Sequence, residues 1–480
     1  MIDTLITVVF CLSTTLTVLI LLLPTQYEPG RSTVVPNATK PKTSVQILVL
    51  GDIGRSPRMQ YHALSVAKNG GQVVLIGYQG EMCSRSCPDL TAGDADCARR
   101  IESDPHPDIV SNPNISIIPL RPHPAILQTN NKLLFTIYGP LKVLFQIACL
   151  WRCLAYTAPP SRWLLVQNPP SIPTLAVASL SCFLRHTRLV IDWHNFGYSI
   201  LALKLGRNHP LVRLAIWYEK AFCKSASAHL CVTNAMSTVL KKDLEIQAPI
   251  LPLHDRPASH FNPILDPEER LRFLNVLPET KDVCSSVNAG SVRILVSSTS
   301  WTPDEDFAVL IEALLQYSKL AMAQPRLPEV LAIITGKGPQ KQMYIDKIKA
   351  LEHADKLPKV TIRTAWLSVP DYAKLLASAS LGVSLHTSSS GVDLPMKVVD
   401  MFGAGLPVVG WSRFKAWPEL VSENVNGMGF GSSIELAEKL VELFGNDCKL
   451  ESLRAGAQKE SHRRWDDEWD PIAGSLLGLA

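Results

Sequence analysis

The chain contains 480 residues, of which 46% are hydrophobic and 19% are charged, and it carries a formal net charge of +4. This length is sufficient for two domains, and the composition is that of a globular protein. The small net charge, without a clustered basic stripe, makes no case for nucleic acid as a partner. The eleven cysteines lack the repeated spacing of a disulfide framework, which indicates a reducing compartment.

A long apolar segment stands near the N-terminus. Residues 4–23 carry no charge, and about 20 helical residues cover the thickness of a bilayer core. Asp3 precedes this segment and basic residues up to Lys42 follow it, which places the following chain in the cytosol by the positive-inside rule. A cleaved signal peptide is the alternative, although it lacks a basic region before the segment and a small-residue cleavage site after it. We predict a transmembrane anchor at 4–23 and a juxtamembrane linker at 24–43.

Short apolar strands alternate with helical patterns through most of the remaining chain. A first series occupies residues 44–255 and a second occupies residues 292–446. This alternation is typical of an α/β fold with a parallel sheet covered on both faces. Two doubly wound, Rossmann-like domains in tandem place a ligand cleft at the carboxyl ends of their strands. The proline-rich residues 256–291 predict a connector, and we expect residues 447–480 to form a helix that packs back on the first domain.

The predicted strands are short and mostly apolar. In the first domain they are Val45–Leu50, Val73–Gly77, Ile115–Leu120, Trp163–Gln167, Leu189–Asp192 and His229–Val232. In the second domain they are Ile294–Ser298, Val330–Thr335, Val360–Thr364, Leu381–Leu385 and Pro407–Gly410. One apolar segment, 133–156, is interrupted by Gly139, Pro140 and two basic residues. It is interpreted either as a buried helix pair or as an interfacial membrane segment.

A glycine-containing loop follows the first predicted strand and leads into a helix at Pro57. Its G-x-x-G spacing suits a phosphate that is held by backbone N–H groups and two arginines. The loop has neither the dinucleotide fingerprint nor a Walker A lysine, so nucleotide hydrolysis is not expected. An ordinary strand–helix turn, with proline at the first helical position, is the alternative. The candidate phosphate contacts are Gly51, Asp52, Gly54, Arg55 and Arg58.

A second polar loop, Asp192–Gly197, follows a later strand of the first domain. A histidine can accept a proton near neutral pH, so His194 is a candidate general base. A structural histidine in the seam between the domains is the alternative. Asn195 is a candidate contact to the acceptor. Glu219 lies in an otherwise apolar helix, where it either reaches the cleft as an acceptor contact or forms a buried ion pair.

Two loops of the second domain carry hydroxyl groups and glycines. The loop after its first strand offers hydroxyl and N–H groups to a diphosphate, and Thr302 and Glu305 there also match a helix-capping box. The loop Gly336–Pro339 lets a base or ribose approach closely, although two glycines flanking a lysine also form an ordinary turn. The candidate donor contacts in these two loops are Ser298, Thr299, Ser300, Gly336 and Lys337.

Residues 387–409 form the most informative segment of the chain. They pass from an apolar strand through a serine-rich loop into a helix that begins near Pro395. The free N–H groups and partial positive charge of a helix N-terminus favour phosphate, and Lys397 adds a cation. Asp400 offers a carboxylate to ribose hydroxyls, whereas Asp393 is placed to cap the helix. The predicted nucleoside-diphosphate site consists of Ser388, Ser389, Ser390, Gly391, Asp393, Lys397 and Asp400.

Four segments resemble the glycosyltransferases of GT-B fold, and within them the mannosyltransferases that add the first mannose to the lipid-linked precursor of N-glycans. These segments are GDIGRSPRMQYHA (51–63), DWHNFGYS (192–199), SSTSWTPDEDF (297–307) and SSSGVDLPMKVVDMFGAGLPVV (388–409). The resemblance covers nearly the whole chain and implies GDP-mannose as donor, diphosphodolichol-linked chitobiose as acceptor, and inversion at the anomeric carbon. It also implies a location on the cytosolic face of the endoplasmic reticulum membrane.

The resemblance assigns roles to several of these residues. It implies that Lys397 contacts the donor pyrophosphate, that Asp400 contacts the ribose, and that the loop at 51–58 lies on the acceptor side. The chain departs from the retaining relatives of this fold, which carry two glutamates eight positions apart around this helix. Here the second of these positions is Asp400 and the first is Val392.

The hypothesis for the reaction is a direct displacement in which an acceptor hydroxyl attacks the anomeric carbon as GDP leaves. His194 is the candidate base, and acidic residues near the cleft are the alternative. Lys397, the helix N-terminus and the serine-rich loop stabilise the leaving diphosphate. The sequence contains no metal-ligand cluster or D-x-D motif, so we expect no tightly bound cofactor and leave stimulation by a divalent metal open. Two alternatives remain, a sugar-nucleotide epimerase of the same fold and a non-catalytic membrane-bound scaffold. Other mannosyltransferases of the same pathway are candidate partners.

Overall fold

The computed structural model describes residues 23–29, 42–79, 105–124, 132–302 and 305–479, together with scattered positions before residue 23. The predicted anchor at 4–23 and most of the predicted linker at 24–43 therefore lie outside the described residues. Among the residues that are described, no helix is both long enough and apolar enough to cross a bilayer.

The chain divides into two compact units, and both are discontinuous in sequence. The first unit comprises Met1–Leu230, Leu240–Leu251 and Trp469–Ala480, and the second comprises Cys231–Val239 and Pro252–Glu468. The predicted connector at 256–291 lies within the second unit, because Leu274, Leu277 and Val287 are buried in its core. Of the predicted C-terminal tail, only the last twelve residues belong to the first unit.

A seven-stranded sheet forms the centre of the first unit, in the order β3-β2-β1-β4-β5-β6-β7. The strands are β1 (Ser44–Asp52), β2 (Gln72–Tyr78), β3 (Ile115–Pro119), β4 (Trp163–Asn168), β5 (Arg188–Trp193), β6 (Ala228–Cys231) and β7 (Ile250–Pro252). The pairings from β3 through to β5 are parallel. The apolar run of β1 is almost entirely buried, as a parallel strand with helices on both faces requires.

Helices cover both faces of this sheet. They are α1 (Pro57–Lys68), α2 (Pro107–Ser111), α3 (Lys132–Arg152), α4 (Thr174–Arg185), α5 (Gly197–Leu205) and α6 (Pro210–Phe222). Helix α1 begins with Pro57 in its first turn, as the sequence predicts. Helix α3 runs through Pro140 without a break and ends in a π-helical turn at Cys153–Thr157. The expectation of a buried helix pair at 133–156 is therefore wrong, because proline removes one helical hydrogen bond without ending a helix that its neighbours support.

The second unit contains a six-stranded parallel sheet in the order β10-β9-β8-β11-β12-β13. Its strands are β8 (Val292–Ser298), β9 (Glu329–Thr335), β10 (Val360–Ala365), β11 (Leu381–Ser384), β12 (Val408–Trp411) and β13 (Gly427–Phe430). In each sheet the strand order reverses beside the first strand, at β1/β4 and at β8/β11. Ligands of doubly wound folds bind beyond the carboxyl ends of the strands at such a point.

The remaining helices complete the second unit and the C-terminal tail. They are α7 (Asn234–Lys242), α8 (Pro267–Val276), α9 (Cys284–Asn288), α10 (Phe307–Ala323), α11 (Lys341–His353), α12 (Val369–Ser378), α13 (Met396–Gly403), α14 (Trp417–Leu420), α15 (Ser433–Phe444), α16 (Asp447–Glu460), α17 (Trp465–Trp469) and α18 (Ser475–Leu477). Every predicted strand is present, with ends that differ by no more than about two residues.

Candidate active site

Lys397 lies in the first turn of α13, beside the loop that follows β8. Its ammonium group forms an ion pair with the buried carboxylate of Glu305 and lies 3.4 Å from the hydroxyl oxygen of Ser300. The other oxygen of Glu305 accepts hydrogen bonds from the Thr299 hydroxyl, at 2.9 Å, and from the Ser300 N–H, at 2.5 Å. The structure therefore joins the predicted residues Thr299, Ser300 and Lys397 through a carboxylate for which the sequence suggested a different role.

From the sequence, Glu305 was predicted to form a helix-capping box with Thr302, and this prediction is wrong. The cap of α10 is Asp306, whose side chain accepts a hydrogen bond from the N–H of Ala308. Glu305 turns away from the helix because the N–H of Ser300 and the ammonium of Lys397 offer stronger, charge-assisted partners.

Position 336 requires glycine because the loop after β9 approaches the loop after β8 closely there. Its φ is +126°, and a Cβ atom at this position would lie 1.8 Å from the carbonyl oxygen of Thr299. The indole N–H of Trp301 also donates to the carbonyl oxygen of Gly336, at 3.2 Å. The side chain of Lys337 turns towards Trp366, with its ammonium nitrogen 3.5 Å from the ring centroid. In this structure the glycine thus serves loop packing, and Lys337 makes a cation–π contact.

Asp393 organises the serine-rich loop after β11. Its buried carboxylate accepts hydrogen bonds from Ser388, from Ser390 at 3.2 Å, and from His386 at 3.0 Å. Burial opposes ionisation of Asp393, but the hydrogen bond and charge of His386 outweigh it, so the pKa of this carboxyl lies below its ordinary value. The predicted role of Asp393 as a helix cap is wrong, because α13 begins after Pro395 and its cap makes no side-chain hydrogen bond among the described residues.

The backbone of the serine-rich loop is fixed by positive φ angles at Ser388 and Gly391, of 57° and 75°. The N–H of Gly391 donates to the hydroxyl of Ser388 at 2.7 Å, and its carbonyl oxygen accepts from the N–H of Lys415 at 2.8 Å. Ser389 is a half-buried member of the same loop. The loop is therefore held in one shape by its own hydrogen bonds.

Asp400 is a partly exposed carboxyl on α13, one turn after Lys397. Burial, together with the nearby charge of Asp255, raises the pKa of Asp400 to about 7. Burial and the charge of Asp400 also raise the pKa of Tyr372. The hydroxyl of Tyr372 lies 2.8 Å from that of Ser298, which accepts from Thr335 at 3.0 Å. Ser298 is thus part of a half-buried hydroxyl network near Asp400 rather than a freely presented donor.

Asp192 is the centre of a charged cluster at the carboxyl end of β5 in the first unit. Arg58 donates to both of its carboxylate oxygens, at 2.8 and 2.9 Å, and neither side chain is appreciably exposed. The Nε2 atoms of His62 and His194 lie 3.2 and 2.9 Å from the same carboxylate. Burial alone would raise the pKa of Asp192, but the charge of Arg58 and the contacts of His194 hold it well below its usual range.

The predicted phosphate loop at 51–58 is a closed strand–helix turn. The carboxylate of Asp52 accepts from the N–H of Gly54 at 3.0 Å, and the exposed Arg55 lies 3.8 Å from Asp52. Gly51 occupies the end of β1. The prediction that Arg58 contacts a phosphate is wrong in this structure, because its guanidinium group is buried in the ion pair with Asp192. Arg55 is the loop arginine that remains exposed.

Glu219 is fully buried and lines a cavity of about 420 Å³. One of its oxygens accepts from the N–H of Gly197 at 2.8 Å and from the hydroxyl of Ser171. The other oxygen has no hydrogen-bond partner among the described residues. Burial raises the pKa of this carboxyl to about 7. The alternative of a buried ion pair is therefore wrong, since no cation is bonded to Glu219 in the described part of the chain.

Asn195 acts locally in the turn before α5. Its side-chain oxygen accepts from the N–H of Phe196 at 2.8 Å and from the hydroxyl of Ser199 at 3.2 Å. Within the described residues, no group of three or more His, Cys, Asp or Glu side chains is arranged to hold a metal ion.

Comparison with known proteins identifies the class of protein to which this chain belongs. A family model described as "Glycosyl transferases group 1" matches residues 292–446. A sucrose-phosphate synthase from Thermosynechococcus elongatus has a TM-score of 0.60 at 14% identity, over 91% of this chain and 97% of that one. WaaG, a glycosyltransferase involved in lipopolysaccharide biosynthesis, has a TM-score of 0.54 at 14% identity, over 90% and 99%. The two parallel-sheet units are those of a glycosyltransferase of GT-B fold.

Relatives that are similar in sequence show to which family of glycosyltransferases this chain belongs. A chitobiosyldiphosphodolichol beta-mannosyltransferase from Arthroderma benhamiae is 56% identical over 384 residues, which are 79% of this chain and 86% of the relative. The enzyme of that name from Homo sapiens is 39% identical over 459 residues, 88% and 90% of the two chains. An Arabidopsis thaliana relative, 40% identical over 480 residues and covering 90% and 96%, is named UDP-glycosyltransferase TURAN. The chain belongs to the chitobiosyldiphosphodolichol beta-mannosyltransferase family.

Proposed function

We propose that this chain is a GDP-mannose-dependent β-1,4-mannosyltransferase that adds the first mannose to diphosphodolichol-linked chitobiose. The names of its relatives support the acceptor. The main support for transfer from a nucleoside-diphosphate sugar is the position of Lys397, which lies in the first turn of α13 and next to Ser300 and Glu305. A cation at a helix N-terminus is what a departing diphosphate requires.

The second unit would bind the donor. Lys397 and the first N–H groups of α13 neutralise the diphosphate, while Glu305 holds the lysine side chain in place before the donor arrives. Asp400 lies three residues after Lys397 and so on the same face of the helix, where its carboxylate accepts from the ribose hydroxyls. Because these groups neutralise the diphosphate, we propose that no tightly bound cofactor is needed and that a divalent metal would only stimulate the reaction.

The first unit would supply the general base, and the hydrogen bonds around His194 define which nitrogen accepts the proton. His62 contacts the same carboxylate as His194, that of Asp192. Because the indole N–H of Trp469 can only donate, Nδ1 of His62 accepts it, at 2.8 Å, and Nε2 of His62 donates to Asp192. Asp192 is ionised and can only accept, so Nε2 of His194 also donates to it. The lone pair of His194 is therefore on Nδ1.

The proposed step is a single displacement. The acceptor oxygen forms a bond to the anomeric carbon of mannose, and the bond from that carbon to the diphosphate breaks with its electron pair leaving on GDP. The acceptor proton moves to Nδ1 of His194, and the adjacent carboxylate of Asp192 stabilises the imidazolium that results. One displacement inverts the configuration of the anomeric carbon.

We also propose that the enzyme is a single-pass protein of the endoplasmic reticulum membrane, with both units on the cytosolic face. The uncharged segment at 4–23 and the basic residues that follow it support this placement. An acceptor that carries a polyisoprenoid lipid resides in a membrane, where other mannosyltransferases of the same pathway would be neighbours.

Donor choice tests the proposed function directly. The full chain is incubated with chitobiose-diphospholipid and either GDP-mannose or UDP-N-acetylglucosamine, and the lipid product is examined by mass spectrometry. We expect the addition of one hexose with GDP-mannose alone. A product formed from the UDP-sugar would contradict the proposed donor, and no product with either donor would favour the non-catalytic scaffold.

A further inference from the structure

We propose that the outer surface of helices α3–α6 in the first unit lies on an anionic phospholipid bilayer. This surface, called here the apolar helix layer, is formed by the outward-facing side chains of those four helices. The inference concerns membrane contact by the folded domain and does not depend on the proposed reaction.

The four helices form one layer on the sheet. Helix α4 connects β4 to β5, and α5 and α6 connect β5 to β6, so right-handed crossovers place them on the same face. Helix α3 packs beside α4, α4 beside α6, and α5 on α6. Side chains of this layer that remain exposed must therefore point away from the sheet.

The outward side chains of this layer are apolar. Of the 27 large apolar side chains that the structure describes as exposed, fourteen lie between Leu141 and Trp217. Phe183 of α4 is 77% exposed, and Trp217 of α6 is 61% exposed. A helix on the surface of a soluble domain normally presents polar residues outward, so a whole layer that does the opposite marks an interaction surface.

Helix α6 shows the pattern most clearly. Val212, Ala215 and Glu219 are buried at i, i+3 and i+7 and form the inner stripe. Leu211, Leu214 and Trp217 are exposed at spacings of three residues and form an outer apolar stripe. Both stripes of this helix are therefore largely apolar, as expected for a helix packed between a sheet and a lipid surface.

The charged side chains that the four helices themselves expose are cationic, although Lys220 at the end of α6 is paired with the exposed Glu245. Between Asp108 and Asp243 the sequence has fourteen lysines and arginines, and its acidic residues there are Asp192 and Glu219. Both carboxyl groups are fully buried. The exposed charges of the layer, such as Lys204, are therefore cationic, although the whole chain carries a net charge of only +4. Apolar side chains among cations suit an anionic bilayer, whereas a second copy of the same face would meet like charge.

The position of residues 25–27 also supports a bilayer as the partner of this surface. The uncharged segment at 4–23 ends two residues before Thr25, whose carbonyl oxygen accepts from Nε of Arg185 at 3.0 Å. The N–H of Tyr27 donates to the carbonyl oxygen of Arg185 at 2.8 Å. Arg185 is the last residue of α4, two residues after the exposed Phe183. A segment long enough to span a bilayer therefore joins the folded unit at the apolar helix layer.

Fluorescence quenching tests this contact without any substrate. The full chain is placed in vesicles of phosphatidylcholine and phosphatidylserine that contain brominated lipid, which quenches tryptophans at the lipid surface. We expect Trp217→Phe to reduce the quenched fraction of the fluorescence. The matched variant Trp366→Phe removes an exposed tryptophan of the second unit and should not reduce that fraction. Equal quenching in the wild type and both variants would overturn the proposal.

Hydrogen exchange of the full chain distinguishes a bilayer on the apolar helix layer from a second copy of the chain in the same place. We expect residues 197–222 to exchange more slowly in anionic vesicles than in detergent, and Leu214→Glu to abolish most of that protection. The control Val425→Glu, at an exposed apolar residue of the second unit, should retain it. Protection that is already present in detergent, together with a dimeric mass, would show that a second copy covers the layer and would overturn the proposal.

Discussion

The Nε2 atom of His194 lies 2.9 Å from Oδ2 of Asp192, a carboxylate with no exposure to solvent. The same carboxylate receives the guanidinium group of Arg58 and the ring of His62. Four donor atoms therefore converge on the carboxylate of Asp192, and its charge fixes both the orientation and the tautomer of His194.

Replacement of His194 tests its assignment as the base. His194→Gln removes proton transfer in the transition state, a contribution of typically 10²–10⁴-fold, so we expect kcat to fall within that range. The control His353→Gln changes an exposed histidine of the second unit and should leave kcat unchanged. Equal kcat values for wild type and His194→Gln, measured by product formation over a pH series, would assign the base elsewhere.

Two arginine–aspartate pairs provide a matched test of burial. Asp192→Asn leaves the buried Arg58 without its counter-charge, and we expect the free energy of unfolding to fall by about 3–5 kcal/mol. Asp282 also makes a two-point pair, with Arg363, but its side chain is half exposed. Asp282→Asn should therefore change the stability by less than about 1 kcal/mol. Urea unfolding of both variants measures the difference, and similar losses would mean that burial of the first pair has no energetic consequence.

Gly336 and Gly391 both have positive φ angles but differ in their surroundings. A Cβ atom at Gly391 would meet no described atom within 4 Å, whereas at Gly336 it would overlap the carbonyl oxygen of Thr299. Gly391→Ala should cost only the backbone strain, about 1–2 kcal/mol. Gly336→Ala should cost more, because the two loops must separate, and it should also weaken GDP binding through Thr299 and Ser300. Thermal unfolding and calorimetric titration with GDP measure both effects, and equal losses would contradict the close approach of the loops.

Asp400 gives the donor site a pH dependence. Its pKa is raised from 3.8 to about 7, so between these values the folded state retains a proton that the unfolded state has lost. This carboxyl therefore contributes stability below about pH 4 that is lost as the pH rises towards 7. Asp400→Asn should make stability less dependent on pH over that interval. If the anion accepts from the ribose, GDP affinity should also rise through pH 7 in the wild type and remain flat in the variant. An unchanged pH profile of both quantities in Asp400→Asn would contradict this assignment.

Local sequence patterns were sufficient for most of the fold. The strands Val45–Leu50 and Val330–Thr335 are continuous apolar runs, and both are found as buried central strands. Strand β13, with the sequence GMGF, was not predicted because its glycines lack the branched side chains on which strand patterns depend. Strand β7 was missed because it has only three residues.

The partners of the site residues could not be predicted in the same way. Arg58 and Asp192 are 134 residues apart, and Lys397 and Glu305 are 92 apart. Periodicity places each residue on an element but does not specify which distant charge it will meet. A usable signal was present in Arg58, a charged residue on the buried face of α1 that required an anionic partner.

We propose that Lys397 serves the transfer of mannose to the lipid-linked chitobiose. The most direct measurement compares single-turnover product formation from GDP-mannose by wild type, Lys397→Ala and Lys349→Ala, the last being a change at an exposed lysine of α11. We expect a product extended by one β-linked mannose, a loss of rate of at least about 10²-fold in Lys397→Ala, and a normal rate in Lys349→Ala. Equal rates in all three proteins, or no mannosylated lipid from the wild type, would contradict the proposed role of Lys397 and the proposed reaction.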